Sequence, residues 1–524
     1  MPRISDVWPR SNSSEIAPRT PGGTRATKGP EPRSLERYAR GPNGTGSWVI
    51  GTASMNRAYD ARRHGRRHPF TDREIVLLTL AAVVGVWTQS ALWVGALAML
   101  SSLLARRSAV LVACLILGVI GGWRSQVEWG HAVPRHLGQY TGWAAVVGDP
   151  APFGRGLRVT LEVDGQRFDA WTYGSPRRRL LDRQAGEVVF VQGNRRLITS
   201  NARRAQIRHV VGNLDVSVVG DWLDGSPLYR TSSRVRTKLR RVAESTIGGD
   251  DAALFTGLVI GDDAREPFGM IDAFRASGLS HLTAVSGENV VFVLAAASPL
   301  LRRLRPWWRW AATVGLIGWF MMLTRFEPSV LRAGVMAMLG SSAFVLGLQQ
   351  SVVRLLACTV AILVLVDPML VWSVGFWLST GATAGVCVVA PRLAEWLPGP
   401  QWLQVPVSVT LGAQAGVALP SWLVFHRLPL VSVPANLLAV PVAGFVMLFG
   451  IPAGLLSALV PPLAPVLMAP CAMGTRWVAT VAYLGAAVEP SDRWSTAGWL
   501  FVVAIIVALL VRHRYRRALD IVPI

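Results

Sequence analysis

Charge is the scarcest property of this chain: 16% of its 524 residues are Asp, Glu, Lys or Arg, while 51% are hydrophobic. With a mean hydropathy of +0.37, that scarcity excludes an ordinary soluble protein and points to a polytopic α-helical membrane protein. Cysteine is nearly as rare. Cys114, Cys358, Cys387 and Cys471 all lie in apolar runs, with no CxxC pair and no interleaved histidines, so they read as small core residues rather than a zinc site or a disulfide framework. There is no HxHxDH run, so no metal site and no metal-dependent nuclease is expected in this polypeptide. There is no GxxxxGK[ST] loop, so the energy for any transport should come from a partner or a gradient. The AVSGE around Ser286 is not a G-x-S-x-G elbow and no spacing ties an acid to His281; no catalytic residue, no enzymatic activity and no cofactor are expected. No apolar stretch precedes Ile75, which argues against a secretory signal. Residues 1–70, rich in Pro, Gly, Ser and Arg, read as a disordered basic tail.

What is present falls into blocks. Apolar runs at about 75–89, 91–104 and 109–123, with Arg106-Arg107 between the last two, predict N-terminal transmembrane hairpins of about three spans over 75–123. Residues 140–222 change to period-two alternation, as in GLRVTLEVDGQRFDAWTY and GEVVFVQGNRRLI, broken by Asp164-Gly165 and Gly193-Asn194 turns. They predict strands and hairpins of a small β domain, read as a barrel. An amphipathic, interfacial connector over 228–280 follows. Nine further spans are expected within 281–512, with 429–441 (PLVSVPANLLAVP) as a re-entrant or interfacial piece, and 513–524 as a cytoplasmic tail. Arg302, Arg303, Arg305, Arg309, Arg354, Arg392, Arg476 and Arg512 then fall on one side with the basic tail, which makes both termini cytoplasmic and the β domain extracytoplasmic. The net charge of +22, mostly arginine, suits anionic lipid or nucleic acid.

Several local blocks, in order, resemble the ComEC family of competence DNA-internalisation proteins over roughly Ile75 to the C-terminus. GLVIGDDAREPFGMIDAFRASGLSHLTAVSGENV is similar to the family signature at Gly261, Asp262, Ala273, Phe274, Arg275, Ser286 and Gly287, and PSVLRA, GFWLSTGATAG and ANLLAVPVAG resemble later blocks. Two departures stand out: Glu288 and Asn289 occupy a place where the family often has histidine, and the C-terminal metallo-β-lactamase-like domain of many members is absent from this sequence. The resemblance implies that the β domain is OB-like and that the chain is a channel for single-stranded DNA in the plasma membrane of a bacterium. It implies as partners a DNA receptor, a cytoplasmic translocase and a separate nuclease, besides membrane lipids. The alternative is a channel or transporter for another anionic polymer or lipid, with the OB-like domain binding envelope components.

Polar residues inside an apolar region mark a lipid-free path. Arg275, His281, Ser286, Gly287, Glu288, Asn289 and Arg332 are the candidates for it, with Gly287 as a helix break and His281 and Glu288, seven residues apart, on one face if the helix persists. Glu288 should be either protonated by desolvation or paired with a nearby cation such as His281 or Arg332, and such a path should be positively lined. The other reading is that Ser286-Gly287 packs helices closely and the arginines snorkel to headgroups. In the β domain, Arg177, Arg178, Arg179, Arg195, Arg196, Arg203 and Arg204, with Trp171 and Tyr173, would offer phosphate partners beside stacking faces, or else a basic surface resting on anionic headgroups.

Overall fold

The structure, a computed structural model, describes residues 70–505 apart from 106, 107, 284, 285, 349, 350, 427, 491–493, 496 and 503. The basic tail, Arg106-Arg107, Arg512 and the C-terminal tail lie outside these residues.

Helix α1 (Asp72–Thr88) opens with a capping box: Thr71 Oγ1 accepts from the Glu74 amide and Glu74 Oε2 accepts from the Thr71 amide at 2.6 Å. It packs with α2 (Ala91–Ala105) and α3 (Ser108–His131), Gly85 lying so close to Gly118 that a methyl group there would overlap the Gly118 carbonyl. After the β domain come α6 (Pro227–Thr246), α7 (Gly249–Ile260), α8 (Phe268–Ala276), α9 (Ser280–Thr283), α10 (Gly287–Leu301), α11 (Pro306–Leu323), α12 (Pro328–Val345), α13 (Val352–Val366), α14 (Val374–Val388), α15 (Ala390–Trp396), α16 (Gln401–Phe425), α17 (Ser432–Leu459) and α18 (Ala464–Val488).

Against the twelve expected spans, four helices among the described residues are long and apolar enough to cross a membrane alone (α3, α12, α16 and α17), and the pair α14–α15, bent by 41°, counts as a fifth if it crosses as one broken span. Helices α10 and α13 are apolar but have 15 residues, about 22 Å against roughly 30 Å of hydrocarbon. The re-entrant reading of 429–441 is corrected: this stretch runs into the next, and α17 is continuous through Pro441 and Pro452, because a helix packed among neighbours can lose a backbone bond at proline without ending. Helices α14 and α16 meet through Gly381, Gly385, Gly412 and Gly416, where added side chains would strike the facing backbone. Arg354, in the first turn of α13, pairs with Asp72 at 2.5 Å, so the starts of α1 and α13 share one end of the molecule.

The β domain spans β1 (Gly138–Val146), β2 (Ala151–Phe153), β3 (Gly156–Val163), β4 (Gln166–Thr172), β5 (Val188–Arg196) and β6 (Val210–Leu223), with α4 (Gly174–Leu181) and α5 (Ala202–Gln206) between strands. Strand order is β1-β5-β6-β4-β3-β2, and pairing of β1 with β3 closes the sheet on itself; β4 and β6 run parallel. The predicted alternation is real: Leu157, Val159, Leu161 and Val163 point into the core with Phe168, Val189, Val191 and Leu214. Asp164 and Gly165 make the β3–β4 turn with φ of 52° and 72°, but Gly193-Asn194 is not a turn. Both lie within β5, where Gly193 lets the Asp215 backbone of β6 approach closely.

Charge fixes this domain to the helices. Arg236 of α6, 4% exposed, reaches Asp149 of the β domain at 3.1 Å, Asp262 at 3.6 Å, and the carbonyls of Ile260 and Leu323 at 2.8 and 2.9 Å. Arg240 pairs with Asp262 at 2.5 Å and Arg325, after α11, with Asp149 at 2.8 Å. Burial alone would raise the Asp149 carboxyl, but Arg236 and Arg325 hold it down at about 2. Gly261 ends α7 in the left-handed conformation, φ 67°, and delivers Asp262 into this network.

Candidate functional site

Between the β domain and the helices lies a cavity of about 2800 Å³. Arg275, His281, Ser286, Gly287, Glu288 and Arg332 all line it; Asn289 does not. The break is seen at Ser286, which is extended (φ −88°, ψ 158°) as the cap of α10. Ser286 Oγ accepts from the Glu288 amide and donates to Asn289 Oδ1, each at 3.2 Å, and Asn289 Nδ2 donates to the Leu258 carbonyl at 2.8 Å. Two expectations are thereby corrected: the break precedes Gly287, and Asn289 anchors the break to α7 from the buried side. Because the helix does not persist, His281 and Glu288 reach the cavity from opposite sides of the break rather than from one helical face. A methyl group on Gly287 would lie 2.9 Å from Ala333 Cβ and from the Arg332 guanidinium, so this glycine lines the cavity and packs α10 on α12 at once.

Arg332 is the odd charge of the site. It is 6% exposed, its Nε donates to Ser379 Oγ at 3.0 Å, and no described carboxylate pairs with it. Of the two expectations for Glu288, the pairing with Arg332 or His281 is not formed among the described residues: Glu288 lines the cavity, and Arg332 Nε is taken by Ser379. A buried guanidinium without a counter-charge is expensive. Arg275 sits at the rim, exposed, with Asp272 at 3.3 Å.

The lining is not uniformly positive. Arg135, Arg167, Arg208 and Arg325 join Arg275 and Arg332, six arginines in all, but seven carboxylates line the same space. Several are paired, as Arg208 with Asp169 at 2.9 Å and Arg167 with Glu162 at 3.9 Å. Arg167 and Arg208 belong to the β domain and escape sequence reading, since only tertiary docking brings them to the same cavity as Arg332.

At the cavity mouth, His209 Nε2 lies 3.1 Å from Asp367 Oδ2, tying the β domain to the segment after α13. That hydrogen bond is the main cause that raises the His209 pKa above its ordinary value, against the opposing effect of burial. A raised histidine pKa contributes stability fully below the unfolded value of about 6.5 and loses it as pH climbs through the folded value. Hydrogen exchange of residues 363–372 should accordingly quicken as pH rises past that point, after correction for intrinsic rates, and His209→Gln should abolish the dependence. A profile that is the same in both proteins would show that the contact bears no load.

None of the seven arginines nominated in the β domain lines the cavity. Arg195 pairs with Asp164 at 2.9 Å and lies over Tyr140, Arg196 pairs with Asp215 at 3.1 Å, Arg203 lies over Trp129, and Arg179 donates to the Val219 carbonyl at 2.7 Å. Arg178 and Arg204 are exposed, and Arg177 is half-buried. The nominated aromatics do cluster: Phe153 meets Trp171 edge to face at 5.4 Å, Tyr173 is exposed and packs over Gly156, and register places Arg158 opposite Trp171. Phe153, Arg155 and Arg158 escape the sequence pattern: Phe153 ends the three-residue β2, too short to show alternation, and only the pairing of β2, β3 and β4 brings the two arginines beside the aromatics. Neither Arg155 nor Arg158 pairs with a described carboxylate.

Residues 258–516 match the family model described as "Competence protein". The chain is 29% identical over 213 residues to an uncharacterised protein, YcaI, of Escherichia coli (37% of this chain, 28% of that protein). It is 25% identical over 252 residues to ComE operon protein 3 of Bacillus subtilis (48% and 32%), and 29% identical over 297 residues to competence protein ComA of Neisseria gonorrhoeae (53% and 40%). The chain thus spans well under half the length of these curated relatives. No solved structure matches.

Proposed function

Residues 258–516 belong to the competence protein family, and from that premise we propose that the chain acts in DNA uptake, as the membrane channel that passes single-stranded DNA. The observation that carries this reading is Arg332, a buried cation with no counter-charge among the described residues, lining a cavity large enough for a polymer. A phosphodiester would supply the missing negative charge, and bare phosphates in hydrocarbon would otherwise be prohibitive. The β domain, read as OB-like, would receive the strand at Phe153, Trp171 and Tyr173, whose faces can stack bases while Arg155 and Arg158 contact phosphates. On this reading the β domain is extracytoplasmic and both termini are cytoplasmic, and a receptor, a translocase and a nuclease act around it as separate proteins.

The test is a deletion strain scored for cytoplasmic uptake of labelled DNA, which should be lost and restored by the chain. In vitro, the purified full chain should bind single-stranded oligonucleotides with a log-log salt slope of about −0.7 per phosphate neutralised. Arg155→Ala with Arg158→Ala should flatten that slope by roughly 1.4, two such contacts. Binding indifferent to salt, or uptake unchanged in the deletion strain, would favour the alternative of another anionic polymer or a lipid as cargo, which the same buried Arg332 would also recognise.

A further inference from the structure

Neither the cavity nor the β-domain surface uses the basic turn between α10 and α11. Helix α10 ends at Leu301 and α11 begins at Pro306, and the connection with the first turn of α11 reads RRLRPWWRW, Arg302 to Trp310. Arg302, Arg303 and Arg305 are exposed, and neither they nor Arg309 pair with a described carboxylate. Trp307 and Trp308 are 65% and 70% exposed. The base beneath them is fixed: Trp310 Nε1 donates to Ser342 Oγ at 3.0 Å, and the Arg309 guanidinium lies 5.6 Å from the centre of the Phe344 ring.

The place of this turn follows from α12, which is long and apolar enough to cross a membrane. It begins three residues after Arg325, which is bonded to Asp149 of the β domain, and its last turns hold Ser342 and Phe344, the partners of Trp310 and Arg309; its 18 residues cover about 27 Å, close to the ~30 Å of a bilayer core. The turn therefore sits at the water interface opposite the β domain. Tryptophan favours headgroup depth, where one side of the ring is wet and the other apolar, and clustered arginines are drawn to anionic lipid, each adding about fivefold to the affinity. The exposed Leu300 and Leu304 beside them continue the apolar surface of α10 into the same place, which suits acyl chains and not a nucleic acid. We propose that the Arg302–Arg309 turn is a binding site for the headgroups of anionic phospholipids in the leaflet facing away from the β domain.

The test uses the full chain in nanodiscs of mixed phosphatidylcholine and phosphatidylglycerol, with the retained lipid identified by native mass spectrometry. The wild-type chain should retain phosphatidylglycerol preferentially. Arg302→Gln, Arg303→Gln and Arg305→Gln together should reduce that preference on the order of a hundredfold, the corresponding triple lysine variant should keep most of it, and Arg155→Gln with Arg158→Gln should leave it unchanged. Melting temperatures equal to wild type in all variants would confirm that folding is not the cause. Undiminished preference in the triple glutamine variant would overturn the proposal. So would displacement of the lipid by inorganic phosphate or by a single-stranded oligonucleotide, which would reassign the site to a free anion or to nucleic acid.

Discussion

Arg332→Ala should reduce cytoplasmic delivery of labelled DNA by roughly ten- to a hundredfold, the range expected when a hydrogen bond to a charged group is lost, while the amount of protein in the membrane stays the same or rises. The two halves of this result separate function from packing. An arginine that held helices together through a buried ion pair would, on removal, leave a carboxylate stranded and cost several kcal/mol. Arg332 has no such partner among the described residues, so its removal relieves a desolvated charge rather than creating one. Arg332→Lys should fall between, because lysine keeps the charge but loses both the Ser379 bond in its present form and the planar fork that matches a phosphate. Delivery equal to wild type in Arg332→Ala would remove the central support for the proposed channel; a loss of membrane protein in step with delivery would make the residue structural.

The reverse pattern is expected at Asp262. This residue is 3% exposed and is the common partner of Arg236 and Arg240, so Asp262→Ala leaves cations poorly compensated beneath the β domain. Breaking a buried pair from one side costs about 3–5 kcal/mol, which should appear as a large drop in melting temperature of the detergent-purified chain and in its abundance in membranes. Asp262→Asn keeps the shape and part of the hydrogen bonding and should be less damaging. Because the Asp149 carboxyl of the same network is held at about 2, its contribution is present above the unfolded value near 3.9 and is lost only as pH falls towards 2. Mild acidification should therefore not mimic the mutation. Wild-type melting in Asp262→Ala would show that the two arginines find other partners.

The strands were readable because one face of each is buried, and a two-residue period in sequence is a direct image of that fact, as in Leu157, Val159, Leu161 and Val163. Turn chemistry was readable where the backbone needs a left-handed residue, at Asp164-Gly165, and misleading at Gly193, which serves close strand approach instead. Proline was misread as punctuation at 429–441, since α17 is supported by neighbours that a linear pattern does not show. Six of the seven cavity candidates were visible as polar residues in an apolar setting, but their partners were not. Which group neutralises which charge depends on contacts such as Arg332 with Ser379, 47 positions apart, and no local rule reports those.

The cavity wall has one property that bears on transit time. Six arginines and seven carboxylates face the same space, so the average field along it is weak, and attraction is confined to a few points such as Arg332. For the strand that we propose passes here, a wall of arginine alone would act as a trap, since a conduit must hold its cargo strongly enough to admit it and weakly enough to let it go. Carboxylates on the same wall oppose that hold and let each phosphate be released as the next arrives, so that a modest pull from the far side suffices to keep the polymer moving.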